Sequence, residues 1–397
     1  MFAAASHAAP VEISLFMWVG NPEDIGSLLD EYSATISGAR FVLEVSPGSE
    51  ISKFEQVLVR TSAGAVHDFT MGSSDIGWYV GTGALEDLTP FMKREPRALS
   101  AFPQPMVQAF NFNGQQLAVP AVISGDPMVF NIHRFAEGGL EPPPAEFRDA
   151  SFTWRRFSDA ARKLTRDSDG DGIPDRWGLA SLPYFDKWLL WWDCFIMNES
   201  ATASTALSEA VGRALTDVQT LARAGVMGGN LQAGTAAMSN YGLWSLPAML
   251  QFDVDWAFMA NPRPIDEPVA TYIPMGFGMF SGSRHKEEVW GFFRWISQPD
   301  NNWKWVLATG RVPGAIANLK PWAQRYFGGQ HANARPEVIM QTVTEGGSIH
   351  RSTMNGRWPS IYPTTHTFLS QMMQGTRSPQ ETQILIDQLV RTELGRK

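Results

Sequence analysis

The sequence predicts an α/β protein of two lobes, and three observations carry that expectation. Residues 11–75 read as strand, helix, strand, helix, strand, the pattern of a parallel sheet. The chain has 397 residues, 44% hydrophobic and 18% charged, enough for two sizeable cores. Extended apolar runs are broken by Gly and Pro near Ser124–Pro127, Gly276–Gly278 and Pro313–Asn318. A strand interrupted in this way can leave one lobe and enter another. A cleft between two such lobes suits a small ligand, and hinge closure is its usual motion.

In order, Val11–Trp18 alternates and is rich in β-formers, which predicts the first strand. A helix then starts near Asn21–Asp24, with Ile25, Leu28, Leu29 and Tyr32 at helical spacing. Strands are expected at Phe41–Val45 and Asp68–Met71, with a helix over Ser52–Ala63 between them. Ligands of parallel sheets bind at the carboxyl ends of strands, which points at Trp18, Gly20 and the turn holding Ser73 and Asp75. Leu85–Lys93 reads as a short surface helix, and Leu117–Asn131 as an extended run broken at Ser124-Gly-Asp-Pro127. Arg155–Leu164 is expected to be a helix capped by Thr153. Trp177–Leu182 reads as a strand. Trp188, Trp191 and Trp192 share one face of a helix, as core or as a ligand platform. Further helices are expected at Leu207–Ala224, Lys286–Ser297, Trp303–Leu307, Lys320–Phe327 and Glu337–Val343. Gly234–Leu246 should hold a strand between helical pieces, Thr271–Phe280 an extended segment, and His350–Pro363 a long loop. A final helix lies within Gln371–Leu394.

The most distinctive stretch is KLTRDSDGDGIPDRWGL, residues 163–179. Asp167, Asp169, Asp171 and Asp175 stand at positions one, three, five and nine, with the Ile173 carbonyl at seven. Calcium takes six to eight oxygens, and this spacing supplies five ligands, while Gly170 and Gly172 let the loop fold tightly. Gly178 occupies position twelve, where a helical EF-hand needs a bidentate Glu. The expected cofactor is therefore a structural Ca2+ in a brace between a helix and a strand. The competing reading is a polar turn whose aspartates cap their own amides.

The net charge is −8 and no stretch is strongly basic, which excludes nucleic acid as the expected partner. Fifteen tryptophans are many for this length, and at least half of them are expected in the core. Flat apolar rings of this kind serve sugar ligands. The single cysteine, Cys194, precludes an internal disulfide. No apolar run is long enough to span a membrane. Residues 1–10 read as a secretory-signal remnant or a disordered tail. Catalytic templates are missing: no HExxH, no P-loop, no GxSxG, and no pairing of the seven His at metal-ligand spacing. A glycosidase pair drawn from Asp75, Asp126 and Asp193 stays open, with nothing singling one out.

Several motifs recur together in a known order. They are LEDLTPFMK at 85–93, LAVPAVISGDPMVFN at 117–131, FTWRRFSDAARKLTRDSDGDGIPDRWGL at 152–179, GTAAMSNYGLWSL at 234–246, KEEVWGFFRWIS at 286–297, TGRVP at 309–313 and Ser378–Glu381. With them the chain resembles family 1 extracellular solute-binding proteins, the sugar-binding, maltose-binding-protein-like components of ABC importers. The resemblance implies the type II periplasmic binding fold with three hinge crossings. It places one lobe at residues 11–124 plus 278–314 and the other at 125–277 plus 315–397. It implies a non-catalytic, periplasmic monomer that captures a carbohydrate and delivers it to permease subunits. Carried over by motif, ligand contacts are implied for Trp18, Gly20, Ser73, Asp75, Ser124, Asp126, Trp244 and Gly276, with Trp188 or Trp192 lining the second lobe. Arg311, Arg351 and Arg357 depart from a neutral-sugar pattern. Arg forks suit carboxylate, sulfonate or phosphate, so an anionic sugar or a glycerol phosphodiester is the alternative ligand. A secreted glycoside-acting enzyme is the alternative function.

Overall fold

The computed structural model describes residues 10–18, 20–46, 48–64, 67–146, 149–265, 272–344 and 351–396. The expected signal remnant at residues 1–9, Thr271 at the head of its extended segment, His350 and the Arg351 side chain lie outside the described residues. The strands are β1 (Val11–Met17), β2 (Ala39–Val45), β3 (Phe69–Gly72), β4 (Asn111–Phe112), β5 (Gln115–Gln116), β6 (Val119–Ser124), β7 (Met128–Asn131), β8 (Met238–Asn240), β9 (Trp256–Met259), β10 (Ile273–Met279) and β11 (Val312–Pro313). The chain divides into two compact units, Met1–Ile123 with Pro274–Asn318, and Ser124–Ile273 with Leu319–Lys397. It therefore passes three times from one unit to the other.

The first unit is built on a six-stranded sheet of order β11-β6-β10-β3-β1-β2. β1 runs parallel to both β2 and β3, pairing Leu15 with Leu43 and with Phe69. β10 returns antiparallel to β3, with Gly276 opposite Gly72. The helix Pro22–Ser33 buries Ile25, Leu28, Leu29 and Tyr32, and Asn21 caps it by accepting from Glu23 N. The helix Lys286–Ile296 buries Val289, Trp290, Phe292 and Phe293, while Trp295 is half-buried. Phe292 meets Phe41, Phe69 and Phe277 at centroid distances of 5.3–5.5 Å. Rings at such separations add to the area they bury.

The expected crossing at Gly276–Gly278 lies inside this sheet. Gly276 sits within β10, where a Cβ would stand 2.4 Å from the Val119 carbonyl. Its glycine is explained by close packing of neighbouring strands, with no ligand approach needed. Pro313 pairs with Val122 in β11 and so belongs to the first unit. The changeovers fall after Ile123, Ile273 and Asn318.

The second unit carries a three-stranded antiparallel sheet, β8-β7-β9, surrounded by helices. β9 carries no expectation from the sequence. Thr153 caps the helix Trp154–Leu164 as expected, accepting from Arg156 N. The segment Trp177–Leu182 is not a strand. It makes only single bridges, Trp177 to Ala236 and Leu179 to Met227, because neighbouring backbone meets it at isolated points. The tryptophan-rich stretch is not one helix either. A short helix, Phe185–Trp188, tightens into a 3-10 turn, Leu189–Trp192, and ends at Asp193 with φ +48°. The expected loop after residue 350 contains a 3-10 turn at Arg351–Met354 and the start of a helix, Trp358–Met373, with Pro363 inside it. Burial of Trp358, Ile361, Thr365, Leu369 and Met372 at three- and four-residue spacing outweighs the hydrogen bond that Pro363 removes. Among the described residues no helix is long and apolar enough to cross a membrane.

Candidate functional site

In the first unit, Trp18 and Ser73 follow the carboxyl ends of β1 and β3. Trp18 is half-buried, and its indole Nε1 has no hydrogen-bond partner. Gly20 is exposed with φ +105°, a turn conformation, and a Cβ there would press Ile25 at 2.3 Å. The Ser73 hydroxyl donates to Glu50 Oε1. Glu50 opens the helix Glu50–Ser62, so the start of this helix brings an acid to the strand ends. Glu50 also supports the charge of Arg311, whose guanidinium is buried and held down at about 10 by desolvation. Ser73, Glu50 and Arg311 thus form one polar group in this unit. Sequence reasoning missed Glu50 because an acid in a first helical turn is already explained by the helix dipole.

Asp75 is placed differently from the expectation. It is fully buried, with Oδ2 2.5 Å from Lys53 Nζ, and Oδ1 accepts from Ser73 N at 2.7 Å. Lys53 Nζ also donates to the Met71 carbonyl at 2.7 Å. The carboxylate is consumed beneath the turn, so Asp75 positions Ser73 and is not itself presented to a ligand.

In the second unit, Ser124 and Asp126 are buried at the first crossing. Leu243 N donates to the Gly125 carbonyl at 2.8 Å and Tyr241 N to the Pro127 carbonyl at 3.1 Å. These two bonds fasten the turn Leu243–Ser245 beside Asp126. That turn carries Trp244, which is 44% exposed and folds its ring back over Gly242. Burial pushes the Asp126 carboxyl up to about 6, against the pull of Lys187 and with the push of Asp186. Asp186 pairs with Lys187, and both are buried. Tyr362 stacks on Phe185 at 5.2 Å, and its phenol is driven up by burial and then by Asp186, Tyr184 and Asp126. Asp186, Lys187 and Tyr362 are absent from the sequence expectation. The aromatic run around Asp186 and Lys187 and the two prolines around Tyr362 masked them.

The structure joins the backbone segments that carry Asp126 and Trp244 and leaves other candidates out. Trp188 and Trp192 are core residues. Trp192 packs on Trp154 at 4.8 Å and donates from Nε1 to Asp217 at 3.1 Å, and Trp188 meets Trp192 edge-on at 6.1 Å. Arg357 donates to the Arg396 carbonyl at 2.6 Å, tying the chain before Trp358 to the end of the last helix. One arm of its fork is given to backbone, which weakens the case for an anion-reading arginine there.

The aspartate loop is exposed. Asp167, Asp169 and Asp171 each offer an oxygen, all within 4.8 Å of one another. Asp167 accepts from Gly170 N at 2.7 Å and Gly172 N at 2.9 Å. These bonds, that from Gly172 foremost, hold its carboxyl below the usual range and keep it ionised. Asp171 accepts from Ile173 N at 2.7 Å, whereas Asp175 is turned onto Ser168, accepting from its N at 2.9 Å and its hydroxyl at 3.2 Å. Three of the four expected carboxylates therefore converge on a hard-cation donor set. Asp175 is not part of that cluster.

No curated protein matches the chain by sequence. Solved structures share its fold at low identity. An ABC substrate-binding protein from Listeria monocytogenes, in complex with cycloalternan, is 17% identical with TM-score 0.79, covering 98% of this chain and 100% of that one. The cyclic α-maltosyl-1,6-maltose binding protein from Arthrobacter globiformis is 16% identical with TM-score 0.77, covering 97% and 99%. A maltose/maltodextrin-binding domain from Bdellovibrio bacteriovorus, bound to maltotriose, is 14% identical with TM-score 0.72, covering 97% and 100%. The α/β architecture, with two units and three crossings, is thus that of two-lobed binding proteins. The family model for bacterial extracellular solute-binding proteins matches residues 26–303, well over half of the chain. The chain belongs to the bacterial extracellular solute-binding protein family.

Proposed function

We propose that this protein is the carbohydrate-capturing component of an ABC importer, working in the periplasm without catalysis and handing a neutral sugar to its permease as a monomer. The observation that carries the reading is that the half-exposed Trp244 lies on a turn whose backbone is bonded to the residues on either side of the buried Asp126. A flat apolar face and an adjacent acceptor match the two chemistries of a sugar ring, its C–H face and its hydroxyls. The oligosaccharides bound by the solved relatives support the ligand class. In the first unit, Trp18, Ser73, Glu50 and Arg311 would contribute further donors and acceptors. Closure of the two units over the ligand is the proposed motion. The anionic alternative is weaker, because Glu50 supports the Arg311 charge and Arg357 holds backbone.

Calorimetry against maltotriose, mannotriose and cyclic and linear gluco-oligosaccharides tests the reading, with each mixture checked for product. One-to-one binding without turnover is expected, and Trp244→Ala should weaken it at least about tenfold, the scale of one lost ring-stacking contact. Conversion of the sugar would favour the glycoside-acting enzyme, and no binding would refute the proposal.

We further propose Ca2+ as a structural ligand of Asp167, Asp169 and Asp171. It would supply positive charge that holds the converging carboxylates together. EDTA should lower the melting temperature of the native protein, and Asp169→Asn should abolish that difference. An unchanged melting temperature would leave the loop a self-capped turn.

A further inference from the structure

The first unit buries the imidazole of His67, which is 7% exposed. The ring lies flat on Phe16 of β1, with centroids 4.4 Å apart and planes 3° off parallel. Its two nitrogens face opposite charges. Nε2 contacts Nη1 of Arg60, in the last turn of the helix Glu50–Ser62. Nδ1 lies 3.5 Å from Oε2 of Glu44 on β2. Arg60 Nη1 also donates to Glu44 Oε1 at 2.7 Å, and its guanidinium sits 5.3 Å from the centre of the Phe16 ring. A guanidinium has only donors. Nε2 must therefore accept, which leaves the one ring proton on Nδ1, towards Glu44. The imidazole is neutral, and it joins the end of the helix to the sheet.

We propose that this neutral imidazole is an acid-released latch: protonation of His67 places a second cation against Arg60 and frees the end of the helix Glu50–Ser62 from β1 and β2. No ligand is needed for the release. The proton can enter only at Nε2, the atom that faces Arg60. Of the charged groups around the ring, Glu44 and Asp68 favour the imidazolium and Arg60 opposes it. Asp68 already accepts from Ser14 N at 2.9 Å and from the Ser283 hydroxyl at 2.6 Å, and Glu44 accepts from Arg60. Burial opposes the charge most strongly, and the ring is held below its ordinary 6.5. A His lowered in this way holds fewer protons latched than released. The latch is therefore fully closed above pH 6.5 and loosens as the pH falls below it. Lys53, bound to Asp75 and to the Met71 carbonyl, keeps the start of the helix in place, so the opening is confined to its last turns.

The test is amide hydrogen exchange and 15N NMR of the full chain without ligand. At pH 7.5 the His67 imidazole should show a protonated Nδ1 and a bare Nε2. Between pH 7.5 and 5.5, protection of Val57–Ser62, corrected for the intrinsic exchange rate, should fall about fivefold, while that of Lys53–Glu55 stays constant. The Asp126 carboxyl takes up its proton in the same range, but it favours the folded form in acid and cannot mimic that fall. His67→Gln keeps an acceptor for Arg60 that cannot take a proton, and it should hold protection constant over the range. Arg60→Met removes the cation that the imidazolium would face, so His67 should titrate at higher pH in that variant. A proton on Nε2 at pH 7.5, protection independent of pH in the wild type, or the same fall in His67→Gln would overturn the proposal. If His67→Gln does not fold, the proton position and the exchange profile of the wild type decide.

Discussion

Asp75 and Lys53 are fully buried and 2.5 Å apart, the other carboxylate oxygen accepting from Ser73 N and the ammonium also donating to the Met71 carbonyl. Such a pair is worth little against a hydrophobic replacement of both, but removing one partner strands the other charge. Lys53→Met or Asp75→Asn should therefore lose about 3–5 kcal/mol in urea unfolding, and the double replacement by apolar residues should lose less. The functional consequence is local. With the pair gone, the Ser73 turn loses the carboxylate that fixes it, and sugar affinity should fall without any ligand contact at Asp75. From sequence, Asp75 is indistinguishable from a ligand-reading acid, because its partner stands 22 residues upstream and only the fold joins them. Glu50 shows the converse. It reads as an ordinary helix-start acid until the fold brings it to Ser73 and into the field of Arg311.

At the scale of elements, what was legible followed period and caps. The helix Pro22–Ser33 and the parallel β1–β3 run were readable because their apolar spacing is regular and their turns short. The last helix was readable from Ser378 and Glu381, which form a capping box. Ser378→Ala should cost that helix about 1 kcal/mol, read as a lower melting temperature. Elements whose local signals conflict with their packing stayed hidden. Pro359 and Pro363 disguise the helix Trp358–Met373, and the aromatic density of 185–195 suits several geometries. Gly178 is a third case. As position twelve of the aspartate loop it only argued against an EF-hand. In the fold a Cβ there would stand 1.9 Å from the Ala161 carbonyl, while Gly178 N donates to Thr165 Oγ1 at 2.9 Å. Backbone cannot yield as a flexible side chain can, so Gly178→Ala should destabilise by about 1–3 kcal/mol or more. If calcium uses the loop, its effect on melting temperature should shrink in the same variant, because the glycine sets how the loop leaves the helix Trp154–Leu164.

For the whole molecule, the stability of the ligand-free protein and the capture of a sugar should pull against each other through Asp126. Its carboxyl is raised from 3.8 to about 6 by burial. A raised acid binds its proton more tightly folded than unfolded, so between those two values the native state holds more protons. Stability from this group is fully present below pH 4 and is lost as the pH rises through 6. The two values imply a loss on the order of 2–3 kcal/mol by pH 8. Asp126→Asn removes the buried charge and keeps the volume, so at pH 8 it should unfold at higher denaturant than wild type, with the gap closing towards pH 4. Sugar affinity should move the other way, highest where the ionised acceptor is most costly. An excess of ligand, about a hundredfold over Kd, contributes about 2.7 kcal/mol to the bound state and would offset that cost. Denaturant melts of wild type and Asp126→Asn at pH 4, 6 and 8, with and without sugar, separate the two effects. Equal stability of the two proteins at pH 8 without sugar would mean that the Asp126 carboxylate is already satisfied in the free protein and has no need of a ligand donor.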